Sequence, residues 1–159
     1  MKFKFFIPLF LFLFFLSSCG QIDFYERNTS IPSFRWKADT KITGSFDITD
    51  TLSYYNIYVV LRHTDAYKYN NIWLNVGWKT PGDTLRMQKV ELVLGHDATG
   101  WEGMGMNDIW EVRKRLNIQP QRFRKGTFQY SLSHIMRDEP LEQVMSVGLR
   151  VEKTELIEN

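Results

Sequence analysis

Leu16-Ser17-Ser18-Cys19 is the run in this 159-residue chain whose residue types and spacing specify a reaction. A hydrophobic residue and two small ones precede a cysteine, which is the pattern at which bacterial lipoprotein precursors are cleaved. The small residues let a peptidase reach the backbone, and the thiol takes a diacylglycerol thioether, so that Cys19 becomes an acylated N-terminus. Lys2 and Lys4 supply a positive start, and Phe5 to Leu16 form an apolar run of signal-peptide length. That run is too short to span a bilayer, because a hydrocarbon core about 30 Å thick needs roughly 20 apolar residues. Each buried acyl methylene contributes about 0.8 kcal/mol, so two or three chains on Cys19 hold almost permanently. Gly20 and Gln21 follow in place of the aspartate that keeps many lipoproteins at the inner membrane, which favours an outer-membrane address. The expected division is residues 1–18 as signal peptide, 19–30 as lipidated N-terminus and tether, and 31–159 as a single domain.

Cys19 is the only cysteine, so the exported domain forms no disulfide and thiol catalysis is excluded. His63, His96 and His134 lack the i, i+2 or i, i+4 spacing that builds a metal site on one element. His63-Thr64-Asp65 places an imidazole near a carboxylate, the pairing of a general base with its orienter, although a hydrogen bond at a strand end explains it as well. No Gly-x-Ser-x-Gly elbow supplies a serine nucleophile. Asp47-Ile48-Thr49-Asp50 and His96-Asp97 put oxygen ligands in predicted turns, but their spacing does not match an EF-hand loop, and turns favour Asp for local reasons. No catalytic residue, cofactor or metal is assigned. Discarding Lys2 and Lys4 from the 20 basic residues leaves them equal in number to the 18 acidic ones, so no nucleic-acid partner is implied.

Aromatic residues are in excess, at 15% of the chain. Flat aromatic faces stack on sugar rings or anchor protein partners, so Tyr58, Trp73 and Trp101 are the candidate contact residues. Tyr58 and Trp73 lie on the polar phase of their predicted strands and Trp101 in a Gly-rich loop, whereas Trp78 lies on an apolar phase and is expected to pack. Arg113, Lys114, Arg115, Arg122, Arg124 and Lys125 form a basic stretch, expected as a guarded strand edge, with docking to an acidic partner as the alternative.

The elements that must hold these residues are strands. Apolar residues alternate with polar ones in Ile42 to Ile48, Tyr55 to His63, Ile72 to Trp78, Phe128 to Leu132 and Met145 to Val151. The run from Leu85 to Leu94 changes phase, which predicts a bulge near Gln88 or Lys89. Pro81-Gly82-Asp83 before it predicts a hairpin turn. Asp108 and Glu111 fit a capping box for a short helix, but a strand from Asp108 to Leu116 agrees better with its neighbours. Gly20 to Arg27 is assigned to the tether, with an edge strand as the alternative. Seven to nine short strands without alternating helices predict an all-β, antiparallel β-sandwich of the jelly-roll or immunoglobulin-like kind.

The segment from Ile48-Thr49-Asp50-Thr51 through Tyr55 to Tyr67 resembles the gliding-motility lipoprotein family GldH, and so does Asn71-Ile72-Trp73-Leu74. The resemblance continues through Gly100-Trp101, Asn107-Asp108-Ile109-Trp110-Glu111 and Val147 to Lys153. Its most specific part is Leu61-Arg62-His63-Thr64-Asp65-Ala66-Tyr67. It implies a cell-envelope lipoprotein needed for surface movement, with membrane lipid and other gliding and type IX secretion proteins as partners. It implies neither a reaction nor a small-molecule substrate. An envelope glycan-binding module using the exposed aromatic residues is the alternative.

Overall fold

The computed structural model of the chain describes residues 24–155, so Cys19 and residues 1–18, expected as a signal peptide, lie outside the described residues. The long strands are β1 (Phe24–Ser30), β3 (Ile42–Ile48), β4 (Tyr54–Thr64), β5 (Asn71–Lys79), β6 (Arg86–Val93), β10 (Ile109–Arg115), β11 (Gly126–His134) and β13 (Val144–Thr154). Shorter pieces are β2 (Arg35–Trp36), β7 (Gly95–His96), β8 (Gly100–Trp101), β9 (Met104–Met106) and β12 (Leu141–Glu142).

Two main antiparallel sheets form, a five-stranded one in the order β1-β13-β4-β10-β9 and a four-stranded one in the order β3-β11-β5-β6, and the short pieces pair as β12-β2 and β7-β8. Counted as eight long strands, the sheets run first-eighth-third-sixth and second-seventh-fourth-fifth. This is the jelly-roll order, and it decides between the two sandwich topologies expected from sequence. The chain is one long hairpin rolled up. Its tip is the turn between β5 and β6, where Asp83 N–H donates to the Thr80 carbonyl at 3.1 Å and Gly82 takes φ 79°. Its legs pair successively as β5 with β6, β4 with β10, β3 with β11 and β1 with β13.

The inward rows are those the alternation predicted, except that Trp78 is only half-buried and Met145 yields its place to Val144. Tyr55, Ile57, Val59 and Leu61 of β4 are buried against Ile72, Leu74 and Val76 of β5, Phe128, Tyr130 and Leu132 of β11, and Val147, Leu149 and Val151 of β13. Phe46 stacks on Phe128 with ring centroids 5.4 Å apart, and Trp36 fills the opposite end with no exposed surface. Burying side chains of this size contributes about 1.5–3 kcal/mol each, so this apolar interior is what outweighs the entropy of ordering the chain.

Four details depart from the sequence reading or settle it. The bulge predicted near Gln88 is absent, because β6 pairs with β5 in unbroken register from Val93↔Asn71 to Arg86↔Trp78. The phase change there arises because Leu85 and Met87 lie on the outer face, over the bare backbone of Gly77. The irregularity is instead at Met145, where β13 slips against β4 between Val144 and Ser146, so that Val144 and Val147 both reach the core. Residues 24–30 form an edge strand on β13, and 109–115 is a strand rather than a helix.

Gly148 lies between Val60 of β4 and Asn28 of β1, where an added methyl would overlap the Arg27 carbonyl and the Asn28 side-chain oxygen. Gly148→Ala is expected to cost about 2 kcal/mol, since backbone cannot retreat as a flexible side chain would. Urea unfolding followed by tryptophan fluorescence measures it as a lower midpoint at unchanged slope.

Candidate functional site

The two outer faces of the sandwich differ in chemistry. On the five-stranded sheet, alternate residues of β1, β4, β10 and β13 bring Arg and Glu into cross-strand register. Arg62 pairs with Glu111 at 3.1 Å, Glu111 with Arg113 at 2.9 Å, Glu26 with Arg150 at 2.8 Å, and Arg150 with Glu152 at 2.6 Å. The Arg150 guanidinium also lies 4.0 Å from the Phe24 ring centroid. Burial pushes the Glu26 carboxyl upward, but hydrogen bonds from Arg150 and Asn28 outweigh it and hold the group below the usual carboxylate range. Such a lattice neutralises itself, leaving little unpaired charge to attract a partner.

The outer face of the four-stranded sheet is poor in charge. Its two central strands carry Asn71, Trp73, Asn75, Lys79, Thr127, Gln129, Ser131 and the buried Ser133, with Asp47, Lys89 and Glu91 on the flanking strands. Apolar side chains stand exposed there: Trp73 at 40%, Val93 and Ile135 beside it, and Leu85 and Met87 over Gly77. A face with few charges, bearing a partly exposed tryptophan and aliphatic neighbours, has the composition of an interface core.

At one end of the core His63 continues the inward row of β4, with no exposed surface. Its Nδ1–H donates to the Thr64 carbonyl at 2.8 Å, and Trp101 and Tyr67 cover the ring at centroid distances of 4.6 and 5.4 Å. Asp65 is exposed and makes no hydrogen bond or ion pair with this imidazole, so the two are not arranged as base and orienter. His134 is likewise buried, with Nε2–H donating to the Trp36 carbonyl at 3.0 Å. Burial pushes both histidines below their ordinary value; the Thr64 carbonyl opposes this at His63, and Glu139 and the Trp36 carbonyl oppose it at His134. Asp50 is spent on its own turn: it accepts from Leu52 N–H at 2.9 Å, Ser53 N–H at 3.2 Å and Ser53 Oγ–H at 2.6 Å. Among the described residues no three His, Cys, Asp or Glu side chains are grouped as a metal would require.

A cavity of about 570 Å³ opens between the sheets beside the edge strand β6. Ile57, Val76, Trp78, Val90 and Leu116 wall it, and the amides of Gln88, Asn117, Gln119 and Gln121 rim it. Asn117 is fixed in place: its Oδ1 accepts from Ile57 N–H at 2.8 Å, and its Nδ2–H₂ donates to the carbonyls of Tyr55 and Gln119 at 3.1 and 2.7 Å.

The three candidate aromatic residues therefore occupy three separate places. Tyr58 is half-buried within the charged lattice, where burial and neighbouring Glu152 push its hydroxyl above the usual tyrosine range. Trp73 stands on the charge-poor face, opposite Glu91, and Trp101 is a partly buried cover for His63. Leu85, Met87, Val93 and Ile135 were not singled out by the sequence. For Leu85 and Met87 the signal was the change of phase, which a bulge explained equally well. The basic stretch is divided: Arg113 joins the lattice, Lys114 pairs with Glu102, and Arg122 lies over the Tyr54 ring at 4.6 Å.

The fold and these faces define the class as a jelly-roll β-sandwich domain whose buried histidines are engaged in packing. A family model described as GldH lipoprotein matches residues 23–151, and the chain belongs to that family. A protein of Christiangramia forsetii named gliding motility lipoprotein GldH homolog is 25% identical over 160 residues, which is 96% of this chain and 97% of that one. The gliding motility lipoprotein GldH of Flavobacterium johnsoniae is 26% identical over 145 residues, 87% of this chain and 89% of its own length. The likeness to a chain in a structure of the Gt strain of infectious bursal disease virus has a TM-score of 0.33 at 12% identity, covering 81% of this chain and 30% of that one.

The buried histidines give stability a pH dependence. Below the unfolded value near 6.5 the unfolded chain binds protons that the folded one refuses, so stability is complete above about pH 7 and falls as the solution is acidified. Carboxylates held below their ordinary range add to this only below about pH 4.5. Thermal melts are expected to drop by on the order of 5 °C between pH 7.5 and pH 5, and His63→Leu should reduce that slope.

Proposed function

We propose that this protein is a lipid-anchored, non-enzymatic component of the gliding machinery, held in the outer membrane through acylated Cys19 and associated with type IX secretion. The observation that carries the reading is family membership across nearly the whole described domain, with relatives named as gliding motility lipoproteins aligned over most of their length. Cys19 supplies the attachment, because two or three acyl chains leave negligible release. The outer face of the four-stranded sheet supplies the docking surface for another envelope protein. Of the three candidate aromatic residues, Trp73 carries the contact, since it combines exposure with apolar neighbours and freedom from the charged lattice. Truncating an aromatic anchor at the centre of such a patch costs about 2 kcal/mol or more in binding.

A second reading, an envelope glycan-binding module, is supported by the cavity beside β6. Its lining contains no ionisable side chain, and its amides can both donate and accept toward neutral hydroxyl groups while Trp78 offers a ring face. Titration calorimetry with neutral envelope oligosaccharides tests it: binding abolished by Val90→Trp supports the cavity as the site, and no heat across the series removes this reading.

For the leading reading, a gliding host lacking its own copy of the gene is complemented with Trp73→Asp combined with Val93→Asp. Spreading should be lost at normal protein level and unchanged melting temperature, and Cys19→Ala should lose both spreading and membrane fractionation. Normal spreading with the doubly substituted face would exclude that face as the docking surface.

A further inference from the structure

We infer that the domain rests one defined end on the bilayer, with Leu52 and Ile118 entering the headgroup region and Arg115, Arg122 and Lys125 meeting anionic lipid. This rests on the reading of Cys19 as the anchor. β1 begins at Phe24, five residue steps from Cys19, and even a fully extended segment of that length reaches no more than roughly 18 Å. The end of the sandwich at which β1 starts is therefore the end that faces the lipid.

The strand registers identify what else lies there. Phe24 pairs with Glu152 of β13, whose next residues pair with Tyr54 and Tyr55 at the start of β4, and Tyr55 in turn bridges to Gln121. The turns over 49–53 and 116–125 thus flank the tether. Each turn displays one large aliphatic side chain: Ile118 is 90% exposed and Leu52 is 77% exposed, the highest values for large hydrophobics among the described residues.

Neither side chain is exposed because its backbone is loose. Asp50 fastens the Leu52 turn by accepting two backbone N–H groups and the Ser53 hydroxyl, and Lys153 pairs with it at 3.3 Å. Asn117 fastens the Ile118 turn through three hydrogen bonds to the backbone of β4 and of its own loop. Two fixed turns that hold isoleucine and leucine outward, beside a lipid tether, have the bilayer interface as the fitting occupant.

Charge points the same way. In the middle of the lattice Arg62, Arg113 and Arg150 each have a glutamate partner. Here the Arg115 guanidinium donates to the Ile118 carbonyl at 3.1 Å and Arg122 lies over Tyr54, and neither has a carboxylate within ion-pair distance among the described residues. Lys125 is exposed beside them. The aspartates in the turns of this end, Asp50 and Asp83, are paired with Lys153 and Arg124, whereas the far end carries Asp39, Asp65, Asp97, Asp108 and Asp138 in its loops with Lys37, Lys41, Lys68 and Arg137 among them. Met106, at 76% exposed, stands at that far end next to Asp108, so exposed apolar surface alone does not select the lipid-facing end. The coincidence of apolar side chains with unpaired cations does, because anionic headgroups attract basic residues lying within a Debye length.

The test uses the full chain in nanodiscs of phosphatidylethanolamine with phosphatidylglycerol. Acylation blocks Cys19, so a cysteine introduced as Leu52→Cys, Ile118→Cys or Met106→Cys is the only free thiol for an environment-sensitive fluorophore. Quenching by lipids carrying a nitroxide near the headgroup is expected at positions 52 and 118 to exceed that at 106 at least threefold. It should fall at least twofold with Arg115→Glu and Arg122→Glu, or when phosphatidylglycerol is replaced by phosphatidylcholine. Equal quenching at all three positions, stronger quenching at 106, or indifference to anionic lipid overturns the orientation. Flotation of the unsubstituted chain with vesicles tests the anchor separately: a chain that floats without the quenching pattern overturns the orientation alone. A chain that stays in solution and takes the fluorophore at Cys19 overturns the anchoring itself.

Discussion

The pairing of β4 with β13 is the constraint on which the rest of the molecule depends. These are the two longest strands, at 11 residues each, and they come from the middle and the end of the chain. A rolled hairpin needs only neighbouring legs to pair, but a closed sandwich needs the outer winding laid beside the inner one, and β13 against β4 performs that closure together with β11 against β5. Because side chains alternate strictly along a strand, a slip of one residue in this pairing would turn Val147, Leu149 and Val151 outward. The local slip at Met145 avoids that outcome at the strand's start, letting Val144 stay in the core while the register beyond it is kept.

Once the inner faces are fixed, the outer ones acquire separate characters from the same register. On the five-stranded sheet, opposite charges fall directly across from one another, so arginine and glutamate side chains lie down on the sheet and satisfy each other. On the four-stranded sheet the central strands carry hydroxyls, amides, one tryptophan and one lysine, Lys79, which leaves a surface that water wets without strong electrostatic claims. Burial of His63 and His134 follows from the same geometry. Each sits on an inward phase where an aliphatic residue would pack as well, and each gives one ring hydrogen to a backbone carbonyl, leaving Nε2 of His63 and Nδ1 of His134 without a protein donor. A buried acceptor without a partner costs about 1–3 kcal/mol, so neither imidazole is an optimal filler of the core.

The sandwich was legible because half-buried strands write their burial directly into a period of two. Ile42–Ile48, Tyr55–Leu61, Ile72–Val76 and Phe128–Leu132 are buried on the residues the alternation selects. Where the pattern failed, a physical reason is visible. Leu85 and Met87 are apolar but outward, covering a glycine, and hydrophobicity alone does not say on which face an edge-strand side chain lies. The bulge at Met145 hid because Met145 continues the odd apolar row of Val147, Leu149 and Val151, whereas it is Val144 that reaches the core and Met145 is only half-buried. His63 looked like a possible base because sequence proximity to Asp65 says nothing about direction: one side chain turns into the core and the other into solvent.

The sequence by itself determined the all-β class, the position of the hairpin tip at Pro81-Gly82-Asp83, most of the core and the family resemblance. These are local or periodic properties, written in neighbouring residues. Only the tertiary structure decided that the roll follows jelly-roll order, that Tyr58, Trp73 and Trp101 stand on three different surfaces, and that Leu52 and Ile118 meet unpaired arginines at the end from which the tether leaves. Those are relations between residues far apart in the chain, and they exist only once strand pairing has fixed which distant segments share a face or an end.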